Sequence, residues 1–210
     1  MSYNLRCISP TDWGKKGWFY RADLIIDDIA EEKPGIIGFQ EATKWHYSYL
    51  VDCLKGYDSI ITYRDEAFNS EGCPIFYNTE LYTLVDKGSF WLSETPDVMS
   101  KSWGAQFNRV CSYVILTDKV TNENFVVFNT CCIRENAEDK LFGKLGELKR
   151  IKEKHGTIIA IGGCMMQEKH ITDKIKESYP YTDIIFGTHT LHRFPENLYK
   201  VLEKRKKQKD

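Results

Sequence analysis

Short apolar runs alternate with amphipathic stretches along most of the chain, the pattern of strands covered by helices. Tyr3 to Ile8 reads as a first strand, and Tyr20 to Glu32 as a helix with Leu24, Ile25, Ile29 and Ala30 on its inner face. Pro34-Gly35 ends that helix. Ile36 to Phe39 is a short buried strand that delivers Gln40 and Glu41 to its C-terminal end, where open α/β folds place their chemistry. Trp45 to Leu54 reads as helix. Ser59 to Tyr63, Cys73 to Tyr77, Leu81 to Leu92, Val110 to Thr117 and Phe125 to Phe128 then read as strands joined by hairpins. From Glu135 to His155 the spacing predicts a helix with Ala137, Leu141, Leu145 and Leu148 on one stripe. A strand from Thr157 to Ile161, a helix from Lys169 to Ser178, a strand from Asp183 to Phe186 and a terminal helix from about Pro195 to Lys207 complete the chain. The fold class is α/β, a mixed β-sheet flanked by helices, with no repeat and no flexible linker.

Composition narrows the function classes. The 210 residues suffice for a sizeable core, and no apolar run approaches the roughly 20 residues that cross a bilayer, so no membrane partner is expected. With 29 Lys and Arg against 30 Asp and Glu, the chain is no polycation that binds nucleic acid by charge alone. The charges are uneven, however: 12 basic against 18 acidic residues up to Asn129, and 17 against 12 after it. All five Trp precede Asn129. The first residues show no basic stretch followed by an apolar one, so a cytoplasmic location is expected. Seven scattered Cys, an odd number, fit reduced thiols better than a disulfide framework.

Four segments carry a first resemblance: Ser2-Tyr3-Asn4-Leu5-Arg6, Pro34-Gly35-Ile36-Ile37-Gly38-Phe39-Gln40-Glu41, Pro74-Ile75-Phe76-Tyr77, and Gly88-Ser89-Phe90-Trp91-Leu92-Ser93-Glu94-Thr95-Pro96. In this order and spacing they resemble the endonuclease/exonuclease/phosphatase superfamily over residues 1–129, and Trp103-Gly104 and Arg109-Val110-Cys111 extend the likeness. The resemblance implies a partial two-sheet sandwich and hydrolysis of a phosphoester with Mg²⁺ or Mn²⁺, hard cations that prefer oxygen ligands. It makes Glu41 the metal ligand, with Asn4 beside it orienting the metal or its water, and Arg64 and Arg109 as phosphate contacts, since a guanidinium can grip two phosphate oxygens. Tyr77 is a further, weaker catalytic candidate. Where the family's strand continues Asn-Thr-His, this chain continues Asn129-Thr130-Cys131. Where a later strand ends Gly-Asp-Phe-Asn, this one ends Gly162-Gly163-Cys164-Met165, and Thr188-His189 is a poor counterpart of the closing Asp-His pair. The groups that handle the proton and the nucleophile are missing, which predicts an incomplete site and weak hydrolysis.

A second resemblance starts near Asn129. Asn129-Thr130-Cys131-Cys132-Ile133-Arg134-Glu135-Asn136-Ala137-Glu138, Gly162-Gly163-Cys164-Met165-Met166-Gln167 and Tyr181-Thr182-Asp183-Ile184-Ile185-Phe186-Gly187-Thr188-His189-Thr190-Leu191-His192-Arg193 look like the N-terminal domain of radical-SAM tRNA methylthiotransferases that modify isopentenyl-adenosine. That likeness covers 129–207 and implies a four-iron, four-sulfur cluster on cysteine thiolates, two of which match Cys131 and Cys164. The third ligand has no match; Cys7, read as lying on the first strand, is the candidate to complete the set. The radical-SAM core is absent. Residues 130–210 are therefore a second part, expected to pack with the first as one continuous domain. The basic end Lys204-Arg205-Lys206-Lys207 is read as a solvated helix face, with RNA contact as the alternative.

Three function classes remain. They are a metal-dependent phosphoesterase with an incomplete site, a fragment of an iron-sulfur tRNA methylthiotransferase, and a non-catalytic binding or scaffold protein. The class of phosphoester is not legible, because specificity resides in loops.

Overall fold

A computed structural model describes residues 1–9, 11–102, 104–130, 138–187 and 198–204. The expectations placed on Trp103, on residues 131–137 (Cys131, Cys132 and Ala137 among them), on His189 and His192, and on the basic end beyond Lys204 lie outside them.

The strand periods resolve into two facing sheets. β1 (Ser2–Asn4), β2 (Ile36–Gln40), β3 (Tyr57–Ile60) and β4 (Ile75–Asn78) form the smaller sheet in the order β1-β2-β4-β3, with β1 parallel to β2 and β4 antiparallel to both its neighbours. β5 (Tyr82–Trp91), β6 (Val110–Asp118), β7 (Asn124–Thr130), β8 (Ile158–Gly163) and β9 (Ile184–Phe186) follow in sequence order in the larger one. That sheet is antiparallel up to β7 and parallel beyond it, and it crosses Asn129 without a break. Alternation along β7 sorts its side chains: Phe125 and Val127 join Ile75 and Tyr77 between the sheets, while Val126 and Phe128 face the helices. α1 (Trp18–Glu32) and α2 (Lys44–Cys53) cover the smaller sheet, and α3 (Glu138–His155) and α4 (Lys169–Ser178) the larger. The layers are therefore helix, sheet, sheet, helix, an α/β sandwich. Residues 198–204 are helical and bring Leu198, Val201 and Leu202 to the inter-sheet core. No helix among the described residues is long and apolar enough to cross a membrane.

Two local readings are corrected. The buried face of α1 is Trp18, Ala22 and Ile29 with Ile25 partly covered, an i, i+4, i+7, i+11 stripe, whereas Leu24 is 58% exposed. An aromatic anchor at the start of the helix, not the branched residues in its middle, sets its rotation. β1 stops at Asn4, because Arg6 adopts φ 55 and its N–H donates to Asn4 Oδ1 at 2.8 Å. Cys7 thus lies beyond the strand and not on it.

Candidate active site

Glu41 is presented by a backbone held from several directions. Leu5 N–H donates to Gln40 O at 2.9 Å, which ties the chain after β1 to the end of β2. The next residue, Glu41, takes φ 58, a left-handed conformation that costs a side-chain-bearing residue about 1–2 kcal/mol. Its carboxylate faces two donors: Asn4 Nδ2 donates to Oε1 at 2.9 Å and Cys7 N–H to Oε2 at 3.0 Å. Asn4 reaches the carboxylate from the end of β1, and the turn at Arg6 brings the Cys7 N–H back over it. The Arg6 guanidinium is paired with Asp12 at 2.8 Å.

The other sequence-predicted groups converge on the same place. Ala42 and Gly72 exchange backbone hydrogen bonds of 3.1 and 2.8 Å, which sets the β3–β4 connection against the end of β2. Gly72 is required there, since a Cβ would lie 2.7 Å from Thr62 O. Glu41, Arg64, Glu71, Cys73, Asn108 and Arg109 line one small cleft. Arg64 Nη1 meets Glu71 at 3.0 Å, its Nε lies 3.5 Å from Asp65, and its guanidinium stacks over the Phe107 ring at 4.8 Å. Its backbone oxygen accepts Trp91 Nε1–H and Asn108 Nδ2–H, both at 2.9 Å, so the strap carrying Arg109 is fastened to the loop carrying Arg64. Glu71 and Asn108 were not singled out in the sequence; Glu71 was detectable only as an acid seven residues after Arg64 and just before a glycine.

Tyr77 is not brought to this cleft. It sits between the sheets opposite Ile36, at the far end of β2 from Glu41, and its hydroxyl donates to Asp58 at 2.5 Å. Its apolar ring and one internal hydrogen bond are core chemistry. Burial and contact with Glu71 push the Cys7 thiol up to about 11. That opposes the thiolate form an iron ligand needs.

On the larger sheet, the strand ends next to this cleft carry the segments where the hydrolase motifs give out. Thr130 pairs with Gly163, and Thr130 Oγ1–H donates to Gly162 O at 3.0 Å. Gly163 has φ 117, and a Cβ on it would run into the Thr130 carbonyl. The chain then enters a short 3-10 turn, Cys164–Gln167. The thiols of Cys131 and Cys164 lie outside what is described. Among the described residues, no three His, Cys, Asp or Glu side chains gather as a metal cage.

Comparison with known proteins matches both parts of the chain. The profile of Uncharacterized protein family UPF0004 matches residues 101–187. The tRNA-2-methylthio-N(6)-dimethylallyladenosine synthase of Clostridium perfringens strain SM101 is 52% identical over 88 residues, covering 41% of this chain and 20% of the synthase. Its counterpart from Clostridium botulinum strain Eklund 17B is 46% identical over 112 residues, covering 48% and 25%. The chain thus spans about a fifth to a quarter of the length of these curated relatives. Among solved structures, the mannosyl-6-phosphatase of Bacteroides thetaiotaomicron superposes with a TM-score of 0.67 at 33% identity, over 75% of this chain and 62% of that one. An endonuclease/exonuclease/phosphatase from Bacteroides vulgatus gives 0.70 at 27% identity, over 84% and 69%. The human Nocturnin catalytic domain, at 18% identity and 0.62, shares the fold. The chain is therefore similar to two families in overlapping stretches: it has the fold of the endonuclease/exonuclease/phosphatase proteins over most of its length and a sequence like the tRNA methylthiotransferases over up to half of it.

Proposed function

We propose that the chain is a divalent-metal-dependent phosphoester hydrolase with an incomplete active site. The observation that carries this reading is the Glu41 carboxylate, held by Asn4 Nδ2 and Cys7 N–H in a cleft it shares with Arg64 and Arg109. The donor set suits Mg²⁺ or Mn²⁺: a carboxylate and an amide are hard oxygen ligands, and Mg²⁺ commonly takes one or two carboxylates while keeping several waters. Each Glu41 oxygen that accepts one hydrogen bond retains a lone pair for a cation. Glu41, with the Asn4 side chain beside it, would hold the ion, which supplies charge neutralisation to a phosphoester and polarises its P–O bonds. Arg109 and Arg64 would bind the non-bridging oxygens; for Arg64 this means sharing its guanidinium with Glu71. Cys131 and Gly163 stand where the resembled motifs carry a His and an Asp, so turnover is expected to be slow.

The test is hydrolysis of bis(p-nitrophenyl) phosphate, and of mannose 6-phosphate as the substrate of one structural neighbour, with Mg²⁺, Mn²⁺ or EDTA, run beside Glu41→Ala. Slow, metal-dependent turnover that disappears in Glu41→Ala supports the reading. Wild type indistinguishable from Glu41→Ala under every condition overturns it.

The 52% identity to a tRNA methylthiotransferase supports a second reading, a fragment of an iron-sulfur protein built around Cys131 and Cys164 with RNA as partner. Anaerobic reconstitution with iron and sulfide distinguishes the two: a brown protein with broad absorption near 400 nm favours the cluster, and a colourless one removes it.

A further inference from the structure

Between the two sheets, one polar side chain from the larger sheet reaches the backbone that presents Glu41. Asn129, 3% exposed at the end of β7, donates through Nδ2 to Phe39 O at 2.7 Å and to Pro74 O at 3.1 Å. Its Oδ1 accepts Gln40 Nε2–H at 2.7 Å, and Gln40, fully buried, also donates to Ser2 Oγ at 3.0 Å. Asn129 therefore grips the residue two before Glu41 through its backbone, the residue one before it through its side chain, and the strand on the other side of β2 as well. The fit is close: a Cβ at Gly38 would lie 3.0 Å from Asn129 Cγ, so position 38 is left without a side chain where the amide enters.

We propose that Asn129 is a positioning residue for Glu41, and that the Asn129–Gln40 clamp holds the β2 terminus in the left-handed turn that aims the Glu41 carboxylate into the cleft. Glu41 occupies a conformation that an unconstrained Glu does not favour, so something must hold it there. The side-chain contacts of Glu41 itself, to Asn4 and Cys7, fix the carboxylate but not the residues before it. The two residues before it pair with β1, and from the larger sheet Asn129, 89 and 90 positions further along the chain, adds hydrogen bonds to the Gln40 side chain and the Phe39 carbonyl. A hydrogen-bonded buried amide placed behind a ligand acts as the supporting groups of metal sites do: it sets ligand orientation without touching the ion. Asn129 also sits in the register pair Asn129↔Gly162, so the clamp links the Glu41 carboxylate to β8, the strand that leads into the methylthiotransferase-like Cys164 segment.

This inference rests on the reading of Glu41 as a metal ligand, and the experiment separates the two. Mn²⁺ binding is followed by electron paramagnetic resonance of free Mn²⁺ for wild type, Glu41→Gln, Asn129→Asp, Gln40→Met and Thr130→Val, with thermal melts of each. Asn129→Asp keeps the shape but sets a carboxylate oxygen against the Phe39 and Pro74 carbonyls. Gln40→Met removes the link to Asn129 together with the Ser2 bond, leaves the Asn129 bonds to Phe39 O and Pro74 O in place, and guards against failure of Asn129→Asp to fold. Thr130→Val deletes a buried hydroxyl beside the clamp and serves as the stability control. Expected is wild-type binding lost in Glu41→Gln, weakened about tenfold or more in Asn129→Asp and Gln40→Met, and unchanged in Thr130→Val at temperatures where all are folded. Folded Asn129→Asp or Gln40→Met with wild-type Mn²⁺ affinity overturns the positioning role while leaving Glu41 as ligand. No Mn²⁺ uptake by wild type overturns the metal reading, and this inference with it.

Discussion

At the first turn of α2, His46 is fully buried and its Nδ1 accepts the Thr43 N–H at 3.1 Å, so the ring proton lies on Nε2. That Nε2 has no hydrogen-bond partner among the described residues, and the ring stands edge-on to Trp18 with centroids 4.2 Å apart. Burial, with Arg21 adding to it, pulls the imidazole down to about 4. The folded state thus binds its proton less readily than the unfolded chain, whose His titrates near 6.5. The stability contributed by a neutral His46 is complete above about 6.5 and is lost as pH falls toward 4. In His46→Gln, which keeps an acceptor for the capping box, the stability gap to wild type should be widest at pH 7 and narrow steadily down to pH 4.5, as read from urea unfolding across that range. A gap independent of pH would refute this. The same scale shows what single residues could tell in advance. Glu41 and Arg109 stand in local motifs and Arg64 in none, and the structure puts all three on one cleft. Tyr77 misled, because a Tyr on an apolar strand carries the same letters whether its hydroxyl serves catalysis or Asp58. Asn129 was legible as a motif letter, but its work was not, since its partners lie 55 to 90 residues away.

Among the elements, α3 is tied to the sheet it covers by one carboxylate. Asp183, just before β9, accepts Ile159 N–H of β8 at 2.9 Å and pairs with Lys152 of α3, whose ammonium also donates to Tyr181 O at 2.7 Å. The side chains of Lys152 and Asp183 are 21% and 16% exposed, so removing one leaves the other partly buried without its main partner. Asp183→Ala is expected to lower stability by about 1–3 kcal/mol, measured by denaturant titration, with Lys152→Met costing less because Asp183 still accepts the Ile159 N–H. Equal or negligible effects would show the pair to be solvated. Elements were well marked by periodicity: the helix read from Lys169 to Ser178 matches α4, and those read near Tyr20–Glu32 and Trp45–Leu54 lie within two residues of α1 and α2 at each end. The first strand was overextended, because the apolar Leu5 and Ile8 continue a strand-like pattern through a turn that Asn4 and Arg6 make. The rotation of α1 was misjudged for a related reason: exposed Leu24 and buried Trp18 weigh alike in a periodicity.

For the whole molecule, the two resemblances meet inside shared cores instead of at a seam. Phe90, Leu92, Cys111, Val126 and Phe128 from before Asn129 pack in one cluster with Leu141, Leu145, Leu148, Ile159, Ile161, Ile171 and Ile175 from after it. Neither part buries its apolar face alone, so a single cooperative transition is expected on unfolding. Tryptophan fluorescence reports only residues up to Trp103, whereas helical dichroism carries a large share from the 18-residue α3. Coincident midpoints by the two probes would support one unit, and separated midpoints would show two. The layering was legible from the alternation of strand and helix signals, while the division of the strands between two sheets came only through the family resemblance, because pairing between distant strands leaves no local trace. Gly163 closes the account of how such a chain can change. The family it resembles in fold carries an Asp in the loop that this chain fills with Gly163, yet the backbone at φ 117 and the Thr130 carbonyl beyond it leave no room for any side chain. A single codon change cannot reinstate that carboxylate in the present backbone. On the proposed hydrolase reading, a carboxylate for this role has to come from another wall of the cleft, where Glu71 stands.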